Sequence, residues 1–147
     1  MEARIIIKEV APEAYKAMHA LERYLRNTSI DFSLKELIKI RASQINGCAY
    51  CIQIHTTDAR KAGETEQRIY ALSAWRESPL FTEKEKAALA VTEEVTKISD
   101  RGLSKKTYSL VKQHFSENEI AEIIMQVVTI NAWNRIAVAT HLKHSHQ

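Results

Sequence analysis

The residues best able to do chemistry lie in one short stretch, from Cys48 to His55. The chain has two cysteines, and both are here, as Cys48-x-x-Cys51 with His55 four residues after the second. Asn46-Gly47 stands directly before the first cysteine, and dipeptides of this type end helices and form turns. The pattern predicts that Cys48 begins a new helix, with both cysteines and the histidine on one face.

A cysteine pair at the start of a helix has two chemical advantages. The first turn of a helix carries unsatisfied N–H groups and a partial positive charge, which stabilise a thiolate, the reactive form of cysteine. Two sulfurs three residues apart can also form a disulfide with little movement of the backbone. His55 can accept or donate a proton near neutral pH. The pattern therefore favours a dithiol/disulfide redox centre.

Two other interpretations fit the same residues. One is a zinc site, in which Cys48, Cys51 and His55 are joined by a remote fourth ligand. The C-terminal end supplies histidines for that role, two of them spaced i, i+3: His141, His144 and His146. The other interpretation is structural, because free cysteines often serve as small buried apolar residues. Redox chemistry is favoured over both because the chain places its two cysteines together beside a histidine.

Glu36 is the fourth candidate residue of the site. The four residues from Ser33 to Glu36 have the form of a capping box, which would give Glu36 a role in starting a helix. Glu36 also lies twelve residues before Cys48, on the preceding helix. A tight corner between the two helices would fold them side by side. Glu36 would then orient His55, directly or through a water near Cys51.

Composition favours an all-α fold. Three glycines and two prolines in 147 residues are very low counts, and good helix formers are abundant. Helical periodicity, capping patterns and breaking residues predict a helical bundle of about six to seven helices in a single domain, residues 1–147. Residues 1–9 are predicted to be an extended or irregular lead-in. The predicted helices cover roughly residues 12–26, 33–45, 48–62, 66–75, 82–98, 104–114 and 116–139.

The second half of the chain carries clear helix signals. The predicted starts are two capping boxes and one N-cap, at Thr82-Glu85, Ser116-Glu119 and Ser104. Residues 99–102 are predicted to break the chain between helices. The last helix is apolar over more than one face, which is typical of a helix central to the core or shared with another subunit. Its Asn131 and Asn134 are expected to hydrogen-bond across a helix junction or an interface.

Charge and hydropathy exclude several classes of function. The net charge is +3 with the charges interspersed, and no basic tract or RNA-binding signature occurs, so no nucleic-acid partner is expected. The first residues are too few and too charged for a signal peptide, and no apolar run reaches membrane-spanning length. We expect a cytoplasmic protein without a cofactor. In that compartment a Cys-x-x-Cys pair is redox-active or metal-binding rather than a permanent crosslink.

Four residues at one characteristic spacing carry a resemblance to the alkylhydroperoxidase D-like family: Glu36, Cys48, Cys51 and His55. This family is grouped with the carboxymuconolactone decarboxylases. The resemblance covers roughly residues 15–75, and residues 131–135 are similar to a run common in the small members. It implies an all-α fold and assembly as homo-trimers or homo-hexamers. Because the decarboxylase branch lacks the cysteine pair, it implies the redox branch, whose members reduce organic hydroperoxides.

The resemblance also implies a role for each residue. Cys51 would attack the peroxide and become a sulfenic acid, and Cys48 would resolve it to an intramolecular disulfide. His55 would be general base and proton relay, with Glu36 orienting it. A dithiol donor, either a lipoylated protein or a thioredoxin-like partner, would reduce the disulfide. The alternative functions are a disulfide-exchange or redox-sensing module without peroxidase turnover, and a zinc-binding structural protein.

The sequence departs from the family pattern at Tyr50, where the redox members carry a histidine between the cysteines. A tyrosine has a much higher intrinsic pKa than a histidine and does not carry a proton easily at neutral pH. Tyr50 is expected instead to donate a hydrogen bond to a sulfur or to line the pocket. We expect Trp75 and Trp133 to be packing residues, and Arg41 and Arg135 to lie at the surface or in ion pairs.

Overall fold

The fold is all-helical, as predicted. A computed structural model describes residues 1–144 and contains no strand among them; His146 of the polar tail lies outside this range. None of the described helices combines the length and apolar character needed to cross a bilayer. The described helices, in order, are α1 Ile7–Val10, α2 Pro12–Arg26, α3 Phe32–Asn46, α4 Ala49–Lys61, α5 Glu66–Ala71 with a 3₁₀ turn at Leu72–Ala74, α6 Glu83–Thr96, α7 Ile98–Arg101, α8 Lys105–His114 and α9 Glu117–Thr140.

The described residues form more helices than the six to seven predicted, because two single turns were missed. Helix α1 lies where an irregular lead-in was predicted, and α7 lies in the predicted break at residues 99–102. Each has four residues, which is too few for a 3.6-residue periodicity to register in the sequence. Gly102, with φ +68°, ends α7 and is the true break.

Local capping chemistry accounts for most of the observed helix starts. The predicted capping boxes at Thr82-Glu85 and Ser116-Glu119 are both formed, with side chain and backbone bonded reciprocally. Ser104 caps α8 by accepting a hydrogen bond from the Thr107 amide at 3.1 Å. These three predictions are confirmed.

The capping box predicted at Ser33-Glu36 is wrong. Helix α3 begins one residue earlier, at Phe32, after an Asp31 that makes no side-chain cap. The Ser33 hydroxyl instead donates to the Glu64 carboxylate at 2.8 Å, so a partner distant in sequence has replaced the local one. The Glu36 carboxylate is thereby left for other partners, which belong to the site described below.

Helix α3 is the centre of the bundle. It packs against α4, α6 and α9 and carries side chains with no exposed surface at Leu37, Ile38, Ile40 and Ala42. Two core clusters meet along it: one shared with α6, α8 and α9, the other with α4, α6 and the 3₁₀ turn. Helix α9 lines the first of these clusters and, through Ala137, a small third cluster with the two cysteines, and it leaves Val128 and Val138 more than 40% exposed. Helix α3 is therefore buried on all sides, whereas α9 keeps one exposed face.

Candidate active site

A glycine corner sets the position of the cysteines. Gly47 has φ +65° and ψ +35°, a left-handed conformation that few other residues adopt without strain. The turn is closed by the Cys48 amide, which donates to the Ser43 carbonyl at 3.0 Å. This pairing satisfies a carbonyl at the end of α3 and turns the chain directly into α4. The corner therefore delivers Cys48 to the first position of the new helix, as the Asn-Gly pattern predicts.

Cys48 is the N-cap of α4, and its sulfur accepts a hydrogen bond from the Cys51 amide at 3.2 Å. The two cysteines are joined as a disulfide, with Cα atoms 5.3 Å apart. They are 1% and 3% exposed. In the reduced protein, the amide and the positive end of the helix would stabilise a Cys48 thiolate. This geometry suits a disulfide that can be reduced and formed again without movement of the backbone.

Glu36 and His55 form the second half of the site. The carboxylate of Glu36 is 2% exposed, and its Oε2 lies 3.3 Å from Nδ1 of His55. This is ion-pair distance, but neither atom makes a well-aligned hydrogen bond. The other oxygen, Oε1, accepts a hydrogen bond from the Lys39 ammonium at 2.8 Å. The Glu36 carboxylate thus binds Lys39 through one oxygen and faces the His55 imidazole with the other.

The electrostatics of this group keep Glu36 ionised. Burial opposes the charged form, but the interactions with His55 and Lys39 outweigh it and leave the pKa of Glu36 below its ordinary value. A carboxylate at this position can orient the imidazole and stabilise it when it carries a proton. His55 lies one helical turn after Cys51, on the same side of α4, and its side chain is 19% exposed.

Buried amides fasten the cysteine corner to α9. The side-chain amide of Asn46 donates to the side-chain oxygens of Asn131 and Asn134, each at 2.9 Å. Asn134 in turn donates to the Ser43 hydroxyl at 3.0 Å, and Asn131 to that of Thr96 at 3.0 Å. The prediction that Asn131 and Asn134 bond across a helix junction is confirmed. Sequence reasoning missed Asn46 as their shared partner, because it was interpreted only as a helix breaker.

A cavity of about 490 Å³ opens beside the disulfide. One wall is the corner, including Cys48 and Tyr50; the other is the end of α9 and the residues after it. Tyr50 thus lines the pocket, one of its two expected roles. Burial and the neighbouring Tyr15 raise the pKa of Tyr50, so its phenol stays protonated at neutral pH. Residues 141–144 were not recognised as pocket residues from sequence, because their role depends on tertiary packing.

The structure gives the zinc interpretation no support. The two sulfurs are bonded to each other, and among the described residues the side chains close enough together to share a metal ion are Glu36, His55 and Asp58. This group includes neither cysteine and neither of the described tail histidines. Its Glu36 carboxylate is already paired with the Lys39 ammonium.

The tryptophans and arginines take structural partners. Trp75 is buried and donates to Glu93 at 2.8 Å, and Trp133 donates to Glu22 at 2.9 Å. Arg41 pairs with the same Glu93 at 3.0 Å. None of these residues lines the cavity beside Cys48. Their interpretation as packing and ion-pair residues agrees with these contacts.

Comparison with known proteins places the chain in a family. The model of the carboxymuconolactone decarboxylase family matches residues 12–94. The chain is 45% identical to the uncharacterized protein YdfG of Bacillus subtilis over 139 residues, 95% of each chain. A solved protein of unknown function from Agrobacterium tumefaciens, considered a candidate antioxidant defence protein AhpD, is 41% identical with a TM-score of 0.96, covering 99% of this chain and 100% of that one.

A more distant structure shares the fold. The debrominase Bmp8 superposes with a TM-score of 0.81 at 23% identity, covering 91% of this chain and 72% of that one. At this identity the likeness concerns the fold alone, since one fold hosts many chemistries. The activity of this chain must therefore be argued from its own residues.

Proposed function

Because the chain belongs to the carboxymuconolactone decarboxylase family, with the resemblance to alkylhydroperoxidase D-like proteins confirmed, we propose that it is a thiol peroxidase that reduces organic hydroperoxides. One observation carries the proposal. The two cysteines are joined at the first turn of α4, one turn before a histidine that faces a buried, ionised glutamate. Such a group supplies a nucleophile, a second thiol and a proton relay.

The first step uses Cys51. His55 takes the proton of the Cys51 thiol, and the thiolate attacks the terminal oxygen of the hydroperoxide ROOH. The O–O bond breaks, the alkoxide leaves as ROH with the proton from His55, and Cys51 becomes a sulfenic acid. Glu36 keeps the imidazole oriented and stabilises it while it is protonated. Cys51 is assigned this step because it lies one turn from His55, whereas Cys48 lies two turns away.

The second step closes the disulfide. The Cys48 sulfur, held at the N-terminus of α4, attacks the sulfur of the Cys51 sulfenic acid. The S–O bond breaks and hydroxide leaves as water with the Cys48 proton. The sum is one hydroperoxide and two thiols converted to one alcohol, one water and one disulfide. The product of this step is the bonded pair that the structure contains.

Two variants test the assignment of roles. In Cys48→Ser, one equivalent of hydroperoxide should leave a sulfenic acid on Cys51 that a dimedone probe labels. In Cys51→Ser, no sulfenic acid should form, and the rate of hydroperoxide consumption should fall to that of a free thiol. Rapid sulfenic acid formation at Cys48 in the Cys51→Ser variant would reverse the roles. Unchanged peroxidase turnover in Cys51→Ser would refute the mechanism.

We also propose that the chain is cytoplasmic and assembles as a homo-trimer or homo-hexamer, and that a dithiol of a lipoylated or thioredoxin-like protein can recycle it. Apolar side chains at the surface support assembly: Val128 and Val138 on α9 and Ile5 and Ile6 near the start of the chain are 43–44% exposed. Light scattering coupled to size exclusion tests the assembly. A monomeric mass at micromolar concentration would overturn it.

A further inference from the structure

The cavity beside Cys48 has features of a ligand site of its own. Resting on the proposed function, we propose that it binds low-molecular-weight thiols that carry a carboxylate, and that these reduce the disulfide by attacking Cys48. The hydroperoxide half of the cycle uses Cys51 and His55. The cavity would serve the other half, the return of the disulfide to two thiols.

Access determines which sulfur is attacked. Cys48 lines the cavity, while Cys51, His55 and Glu36 do not. A thiolate entering from the cavity would therefore reach Cys48 before Cys51. Thiol–disulfide exchange depends on which sulfur the attacking thiolate can reach, and on the stability of the thiolate that leaves. Here the leaving thiolate is Cys51, one turn from the imidazole that can return a proton to it.

The lining of the cavity matches an anionic aliphatic molecule. Its apolar surface comes from Ala49, Ala137, Val138 and Leu142. The ionisable side chains among its described lining residues are those of Tyr50, His141, Lys143 and His144, and no carboxylate is among them. A volume of about 490 Å³ is in the range of sites that take a whole small molecule. A carboxylate on the entering thiol would therefore meet the Lys143 ammonium, with no carboxylate among the described lining residues.

The end of α9 supplies a cover for this site. His141 adopts a left-handed conformation, with φ 52° and ψ 52°, and turns the chain so that the Leu142 amide donates to the Ala137 carbonyl at 3.0 Å. Leu142 then packs against the cluster that Cys48, Cys51 and Ala137 form. A residue other than glycine in this conformation is uncommon and strained. The turn therefore places an apolar side chain over the disulfide.

The start of the chain braces the same turn. The Arg4 amide donates to the Thr140 carbonyl at 2.9 Å, and its guanidinium donates to the Ala139 carbonyl at 3.1 Å. The His141 ring nitrogen lies 3.3 Å from the Glu2 carbonyl. The two ends of the described chain thus meet beside the disulfide, and movement of Leu142 would admit a thiol to Cys48.

The reaction balances as two exchanges. A thiolate RS⁻ attacks Cys48, the S–S bond breaks, Cys51 leaves as a thiolate and takes a proton, and a mixed disulfide RS–S–Cys48 forms. A second RS⁻ attacks the external sulfur of that mixed disulfide, releasing RS–SR and the Cys48 thiolate. Two small thiols are oxidised to one disulfide, and the protein disulfide is reduced to two thiols.

The charge preference is tested on the oxidised protein with 3-mercaptopropionate and its neutral amide, 3-mercaptopropanamide, compared at equal thiolate concentration and low salt. We expect the wild type to be reduced about threefold or more faster by the carboxylate, a ratio that salt should lower. Lys143→Gln should bring the ratio close to that for a small free disulfide. Lys106→Gln, the same charge change on the exposed face of α8, should keep the wild-type ratio. Equal ratios in wild type and Lys143→Gln would overturn the charge assignment.

The attacked sulfur is identified by rapid quench. Oxidised protein is mixed with 3-mercaptopropionate, quenched in acid with an alkylating reagent, and the tryptic peptide 42–60, which holds both cysteines, is fragmented in a mass spectrometer. We expect the mixed disulfide on Cys48 and the alkyl group on Cys51. The reverse placement would overturn the proposal. The assay uses no hydroperoxide, so a failure of the peroxidase function and a failure of this site give different results.

The cover is tested with Leu142→Ala. Removing the side chain over the disulfide should raise the reduction rate severalfold for both the charged and the neutral thiol. Leu80→Ala serves as the matched control, because it removes the same side-chain atoms at an exposed position that does not line the cavity. Equal acceleration by both variants, or by neither, would show that Leu142 is not a cover.

Discussion

Glu36 is a buried residue that contacts two ionisable side chains in its half of the site. Its carboxylate is shared between the Lys39 ammonium at 2.8 Å and the His55 ring at 3.3 Å. Sequence spacing was enough to suggest that Glu36 meets His55, but it equally allowed a capping role with Ser33, which the structure excludes. The hydrogen bond between Ser33 and Glu64, thirty-one residues apart, takes Ser33 away from the capping role with Glu36. Local sequence patterns give no information about a contact at that separation.

Replacing Glu36 tests its function as the orienting group. Glu36→Gln keeps the shape but removes the charge that stabilises a protonated His55. We expect the rate of thiol oxidation by hydroperoxide to fall about tenfold or more, because Glu36 supports a general base whose own contribution is typically about 10²–10⁴-fold. The measurement is a stopped-flow assay at neutral pH with the pre-reduced protein. Glu66→Gln, at a 60% exposed side chain, should leave the rate unchanged.

A Glu36→Gln rate equal to that of the wild type would assign the carboxylate a structural role only. The urea midpoint of each variant distinguishes a loss of function from a loss of fold. Addition of Lys39→Met to Glu36→Gln removes the unpaired ammonium and should recover stability without recovering the rate.

At the scale of elements, the corner between α3 and α4 decides where the cysteines lie. It was predictable because Asn-Gly is a local signal, and the capping boxes of α6 and α9 were predictable for the same reason. The single-turn helices α1 and α7 were not, because they are too short to show periodicity. The amide cluster was predicted from one side only, since its partner Asn46 lies at the end of another helix.

The corner predicts the effect of Gly47→Ala. The added methyl group meets no atom within 4 Å, so the cost comes from φ +65° alone. We expect a loss of about 1 kcal/mol in the free energy of unfolding, measured by urea denaturation. Gly63→Ala, with φ +97° and equal space, should also destabilise but should leave the disulfide reduction rate unchanged. If both variants change that rate equally, the corner has no special part in positioning Cys48.

The amide cluster predicts a larger cost for Asn134→Ala. Asn134 has no exposed surface, and its loss removes the acceptor of one Asn46 hydrogen bond and the donor to the Ser43 hydroxyl in a buried site. We expect the free energy of unfolding to fall by about 2 kcal/mol. Asn118→Ala, on the exposed first turn of α9, should cost much less. Equal losses in the two variants would mean that water replaces the missing amide.

At the scale of the whole molecule, composition predicted the fold class but not which helix is central. Helices α3 and α9 both carry many apolar residues, so the sequence does not tell burial on all sides from burial on one side. The cavity also lay beyond sequence reasoning. It is built from the corner at Gly47, the end of α9 and the start of the chain, which only tertiary folding brings together.

Acid should weaken the fold through half-buried ion pairs of Arg68, one of which links α5 to α6. Arg68 of α5 pairs with Glu85 of α6 and, at 2.7 Å, with Glu64. Burial opposes ionisation of Glu85, but Arg68 and the Thr82 cap outweigh it, so the pKa of Glu85 lies below its ordinary value of 4.5. A group with a lowered folded pKa stabilises the protein above its unfolded pKa and loses that contribution as the pH falls through the folded value.

The predicted consequence is a pH-dependent difference between wild type and Glu85→Gln. The wild type should be more stable at neutral pH, and the difference in unfolding free energy should shrink as the pH falls below about 4.5. Urea unfolding at a series of pH values measures it. Glu83→Gln, in the same first turn but with no Arg68 contact, should show a smaller dependence. A difference that grows in acid would contradict the assignment.

The most direct test is the stoichiometry of a single turnover. Protein is reduced, freed of reductant and mixed with one equivalent of cumene hydroperoxide, and free thiols and cumyl alcohol are both counted. We predict that each chain loses both thiols and yields one alcohol, with the Cys48–Cys51 disulfide restored. Thiols that survive an excess of hydroperoxide would contradict peroxidase function. The same cysteine pair would then be better explained as a disulfide-exchange centre.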